Sequence, residues 1–150
     1  MAKWISLLLT MMVFSVNSAQ LEFIKNGITD KTLSDQDLLE LPQTEIATEL
    51  PWIDGVSRFS GVQLTDIFNH IKTPIPKTMT FVALNNYQVE VEIQDIEKYQ
   101  PIIANRKNGE MMSVRDKGPF WVIFPLSEYP EIDNTDYHAK MIWQLKEVRY

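Results

Sequence analysis

The clearest periodic signal lies between residues 61 and 74, where Leu64, Ile67, Phe68 and Ile71 recur at i, i+3, i+4 and i+7 and so share one helix face. The pattern predicts a helix beginning near Gly61. Thr73-Pro74 and Pro76 stop it, since proline offers no amide proton and clashes with the turn before it. The period then changes to two: Val89, Val91 and Ile93 alternate with Glu90 and Glu92, as in a strand with one buried face. A short helix is predicted over 94–99. Apolar runs at 79–83, 102–104, 111–112, 120–124 and 141–148 predict further strands, and Asn108-Gly109 a hairpin turn. Met111-Met112 and Phe120-Trp121 are read as core.

Nearer the N-terminus, Leu21, Phe23 and Ile28 predict a first strand that turns at Asn26-Gly27. Ser34 is placed to cap a short helix, with Asp35 and Asp37 in its first turn, Leu38, Leu39 and Leu41 after them, and Pro42 as the stop. Residues 44–48 read as a strand and Pro51-Trp52-Ile53-Asp54-Gly55 as a loop. Many short strands mixed with two or three short helices predict an α+β domain with mixed sheets.

The first residues follow a different pattern. Lys3 precedes an apolar run from Ile5 to Val16 broken only by Ser6, Thr10 and Ser15, and small residues follow at Ser18 and Ala19. The run falls short of the roughly 20 apolar residues a spanning helix needs. It reads as a signal peptide over residues 1–19, leaving one domain over 20–150 that is exported and soluble, with the periplasm as its expected compartment. The chain has no cysteine, so neither disulfides nor a lipidated N-terminal cysteine enter the account. A net charge of −6 works against nonspecific contact with nucleic acid or anionic lipid, and direct membrane insertion after cleavage is not expected. His70 and His138 stand apart, with no clustered His, Asp or Glu spacing, so no metal site is expected.

Four segments carry a resemblance. They are residues 51–55 with Arg58-Phe59-Ser60-Gly61-Val62-Gln63-Leu64; Ala83-Leu84-Asn85-Asn86-Tyr87; Pro101-Ile102-Ile103-Ala104 with Asn108-Gly109-Glu110-Met111-Met112; and Arg115-Asp116-Lys117-Gly118-Pro119 with Pro125. Met141-Ile142-Trp143-Gln144-Leu145 matches a closing strand. In this order and spacing they resemble the oxidoreductase-type molybdopterin-binding domain of the sulfite-oxidase-like fold. Catalytic members of that family hold molybdenum through a cysteine shortly before the segment matching Gly61-Val62. Here that stretch is Ala47-Thr48-Glu49-Leu50, with Thr48 or Glu49 near the expected place and no soft thiolate. The resemblance therefore implies a reduced, molybdenum-free pterin as ligand, no metal, and no catalysis. Exported, cysteine-free versions resemble periplasmic pterin-binding proteins that report ligand state to a membrane-bound cyclic-di-GMP enzyme or sensor kinase, which implies a place in biofilm regulation. Two alternatives stay open: an oxidoreductase that binds a molybdenum cofactor without a cysteine ligand, through Glu49 or a substrate-supplied atom, and a protein-interaction module with a closed pocket.

A pterin offers a flat face, which wants an aromatic platform, and a donor-rich edge, which wants carbonyls or a carboxylate. Trp52 is the leading platform, against a purely packing role; Tyr87 either stacks or hydrogen-bonds. Asn85 and Asn86 serve the ligand or simply form a tight turn. The family's pterin-proximal loop falls on Arg115, Asp116, Lys117 and Gly118; its other reading is a solvated charged loop. There Arg115 or Lys117 would meet a ligand carbonyl or hydroxyl, and Asp116 would accept from the amine edge. Arg58 and Arg106 are weaker candidates, each able to pair with a surface carboxylate instead.

Overall fold

The computed structural model describes residues 18–150, so the predicted signal segment falls, up to residue 17, outside the described residues. The described residues form two sheets. The first has the order β2-β1-β10-β5-β6, from β1 (Gln20–Lys25), β2 (Ile28–Ser34), β5 (Thr78–Ala83), β6 (Gln88–Glu92) and β10 (Leu145–Arg149). The second runs β3-β4-β7-β8, from β3 (Thr44–Leu50), β4 (Ile53–Gln63), β7 (Ile102–Lys107) and β8 (Glu110–Met111), with β9 (Trp121–Ile123) also paired to β7. The helices are α1 (Asp35–Leu39), α2 (Leu64–His70), α3 (Ile93–Tyr99) and α4 (Thr135–Lys140), one more than the pattern predicts. This is the expected α+β class.

Periodicity located most elements. The apolar face of α2 buries Leu64, Ile67 and Phe68 completely, and in β6 Val91 is buried while Glu90 and Glu92 face solvent. Asn26-Gly27 joins β1 to β2 and Asn108-Gly109 joins β7 to β8, each Asn and Gly at positive φ as such turns require. Ser34 caps α1 reciprocally: its hydroxyl accepts from the Asp37 N–H (3.1 Å), and its own N–H donates to the Asp37 carboxylate (2.8 Å). That backbone bond, then the one from the Ser34 hydroxyl, holds the Asp37 pKa below the ordinary aspartate range. Ser34→Ala is expected to cost about 1 kcal/mol of stability in urea denaturation at neutral pH. A carboxyl lowered on folding contributes fully above its unfolded pKa and stops contributing as pH falls through its folded value. The penalty should therefore shrink in acid, and an unchanged urea midpoint at pH 7 would remove the cap from the account.

Four expectations need correction. The helix starts at Leu64 rather than near Gly61, because Gly61 belongs to β4. A Cβ there would lie 2.0 Å from the Ile103 carbonyl oxygen, so the close approach of β4 and β7 admits only glycine. The segment 51–55 is a turn only at Pro51-Trp52, and β4 begins at Ile53. The closing strand is limited to Leu145–Arg149, leaving 141–144 irregular. Met111 is 52% exposed while Met112 is buried, so only the second belongs to the core.

Candidate ligand-binding site

Two turns, a short helix and the irregular segment after it meet beside the end of β5. The β3–β4 turn presents Trp52, the β5–β6 turn presents Asn85 and Tyr87, and α4 presents His138 and Ala139. With Met141, Ile142 and Trp143 from the irregular segment and Ala83 from the end of β5, they enclose a mainly apolar cavity of about 280 Å³. Its aromatic wall is built mainly edge to face, an arrangement favoured by ring quadrupoles, with the Trp52–Trp121 pair tilted at 44°. Trp52 lies 5.4 Å from Trp143 at 81° and 6.4 Å from Trp121, whose ring is fully buried below. Trp121 is fixed in turn by Phe59 at 5.3 Å and by its indole N–H donating to the Met141 carbonyl at 3.0 Å. Trp52 remains 38% exposed and Tyr87 47% exposed, so two aromatic faces reach the cavity mouth.

The polar groups are few. Asn85 accepts from the Tyr87 N–H (3.0 Å), which orders the turn, and the Tyr87 hydroxyl donates to the Ala139 carbonyl at 3.4 Å. His138 Nε2 lies 2.7 Å from an Asp133 carboxylate oxygen, and its ring stands 5.7 Å from Trp52. The α4 wall is anchored from behind. Tyr137 donates to one Asp95 oxygen and Lys140 to the other, both at 2.6 Å, with the Lys140 and Asp95 side chains largely buried. Burial first, and then the bond to Asp95, pushes the Tyr137 hydroxyl pKa well up, so it stays a donor at neutral pH.

Of the residues the sequence nominates, Trp52, Asn85 and Tyr87 line this cavity. Lys117 does not, but its ammonium sits 4.2 Å above the Trp143 ring and 5.9 Å from that of Trp121, bracing the aromatic wall. The others are engaged elsewhere. Arg58 pairs with Glu45 at 2.8 Å on the exposed face of the second sheet. Asn86 supplies the positive-φ position of its turn and accepts from Lys146. Asp116 accepts from Ser113 within its own turn, and Arg115 is exposed beside it. Gly118 is buried where a Cβ would lie 2.1 Å from the Met112 carbonyl oxygen, so its role is close packing.

Sequence reading missed His138, Ala139, Met141, Ile142 and Trp143. A signal for α4 was present. Asn134 caps the helix by accepting from the Asp136 and Tyr137 N–H groups, Asp136 lies in the first turn, and His138 and Lys140 in the last. Trp143 carried no comparable signal, because a tryptophan in a strand-like run reads as core.

The stretch matched above to the metal-ligand position of the resembled family is closed by hydroxyls. Thr48 is fully buried and its Oγ1 accepts from the Ser127 N–H (3.1 Å), while Ser127 Oγ accepts from the Glu49 N–H (3.0 Å). The two hydroxyl oxygens lie 3.2 Å apart, and neither Thr48 nor Glu49 lines the cavity. Both hydroxyls are committed to each other and to backbone groups outside the cavity, and the cavity's aromatic walls have the shape and chemistry to hold a flat organic ring.

The architecture is thus an α+β domain of two sheets with a small aromatic-walled cavity at their edge. No family model and no curated protein matches the chain. Its fold is similar to that of a chain in the crystal structure of the sulfane dehydrogenase SoxCD from Paracoccus pantotrophus, with a TM-score of 0.62 at 14% sequence identity over 87% of this chain. The likeness covers 37% of that chain, and at this identity it shows a shared fold alone.

Proposed function

We propose that this chain is a non-catalytic pterin-binding protein of the sulfite-oxidase-like fold. The observation that carries the reading is the cavity between Trp52, Tyr87 and Trp143: flat aromatic walls, few polar groups and a volume of about 280 Å³. That volume lies near the lower end of the roughly 300–1,000 Å³ range of small-molecule pockets, which favours a single small heterocycle over one extended by a nucleotide. The Thr48–Ser127 hydroxyl pair and the absence of cysteine support ligand binding without molybdenum chemistry. As an exported periplasmic protein, it would report ligand state to the periplasmic domain of a membrane-bound cyclic-di-GMP enzyme or sensor kinase.

Titration of the purified protein with a tetrahydropterin is the direct test. Saturable one-to-one binding is expected, with about 2.7 kcal/mol of added stability at a hundredfold excess over Kd. No heat, no spectral change and no rise in Tm up to millimolar ligand would end the pterin reading. The second reading, a molybdenum-cofactor oxidoreductase, is favoured by the structural likeness to a sulfane dehydrogenase chain. It requires stoichiometric molybdenum in the protein and turnover of a reduced sulfur compound, both measurable on the same preparation.

A further inference from the structure

The cavity wall carries three polar side chains, and their commitments decide what edge of a ligand they can still read. Asn85 spends its carbonyl oxygen on the Tyr87 N–H, so its amide NH2 is left as a donor. Tyr87 directs its hydroxyl proton to Ala139. His138 is held at Nε2 by the Asp133 carboxylate at 2.7 Å, and a carboxylate only accepts, so the ring proton belongs on Nε2. Neutral His138 then has an unprotonated Nδ1, and among the described residues no hydrogen bond reaches that atom. Two supports keep the ring in place. Trp52 stands against it at 69°, and the backbone of Asp133 is tied by its N–H to the Pro130 carbonyl at 3.1 Å.

Among the described residues no carboxylate lines the cavity. Asp116, the acceptor expected from the sequence for an amine edge, is bonded to Ser113 instead. Resting on the pterin reading above, we infer that His138 is the ligand-sorting group of this site. Its Nδ1 accepts from an exocyclic amine on the ring and the Asn85 amide donates to a neighbouring carbonyl. The cavity therefore favours a flat heterocycle whose edge pairs an amine with a carbonyl over one whose edge carries two carbonyls. Asp133 acts through His138 as a positioning residue by fixing its tautomer.

Two probes of the same ring size separate these edges: a 6-methyltetrahydropterin, and the matched tetrahydrolumazine in which a carbonyl replaces the amine. Calorimetry on the parent protein should show the pterin bound on the order of tenfold more tightly, since the lumazine leaves an acceptor facing an acceptor. His138→Phe keeps a ring against Trp52 and should bind both probes alike. Asp133→Ala, outside the cavity, should lose most of the preference. Nitrogen-15 spectra of the parent's imidazoles give a reading independent of how well the variants fold: His138 should carry its proton on Nε2, and its Nδ1 resonance should move with the pterin and not with the lumazine. Equal affinities in the parent, a preference retained by a folded His138→Phe protein, or a proton found on Nδ1 would each overturn the inference. Equal binding would leave a flat-ring site standing without its sorting group. Failure of both probes to bind would remove the pterin reading as well.

Discussion

Replacing Trp121 with alanine is expected to cost about 3–5 kcal/mol of folding stability, the range for deleting a large buried aromatic. Its ring is fully buried, packs edge to face on Phe59 and Trp143 and at a tilt on Trp52, and donates to the Met141 carbonyl. Truncation leaves a void and strips that carbonyl of its donor. Met141 and Trp143 belong to the cavity wall, so ligand binding should fall with stability. Urea denaturation measures the first effect. A loss below about 1 kcal/mol would mean that the aromatic stack contributes little and relaxes around the gap.

Trp52→Ala should behave in the opposite way, damaging binding far more than folding. The ring is 38% exposed and sits on a turn, so its removal opens little of the core. Loss of an aromatic platform under a flat heterocycle is expected to weaken binding by about 1–3 kcal/mol, roughly 5- to 150-fold in Kd. The comparison variant is Arg149→Ala on β10, whose guanidinium pairs with Glu147 away from the cavity and which should bind tetrahydropterin like the parent. A folded Trp52→Ala protein with parental affinity would move the ligand to another part of the molecule.

These two tryptophans show how far the sequence could be read. Both stand in segments marked beforehand, yet only the fold distinguishes the ring that supports from the ring that faces the cavity. The β5–β6 turn gives the same lesson at shorter range. Asn85 and Asn86 are adjacent and equally suited to a turn, but the chain reversal sends Asn85 to the cavity and Asn86 to Lys146. The charged loop divides likewise: Lys117 reaches the Trp143 ring, while Asp116 closes its own turn. Neighbours in sequence point in different directions, and composition does not record which direction is inward.

Local order was determined by the sequence alone, because its causes act over a few residues. The i, i+3, i+4, i+7 face of α2, the alternation in β6, the Ser34–Asp37 cap and the two Asn-Gly turns all rest on neighbours within one helical turn or one strand step. The lack of a thiolate was equally plain from composition. The cavity was decided only by tertiary structure. Trp52, Tyr87, His138 and Trp143 are as much as 91 positions apart, and they meet because β10 lies between β1 and β5 in the first sheet and Asp95 on α3 holds α4 in place as one wall of the cavity. Long-range strand pairing and a largely buried ion pair draw on contacts that no local window contains, so a site assembled by them is invisible until the chain has closed on itself.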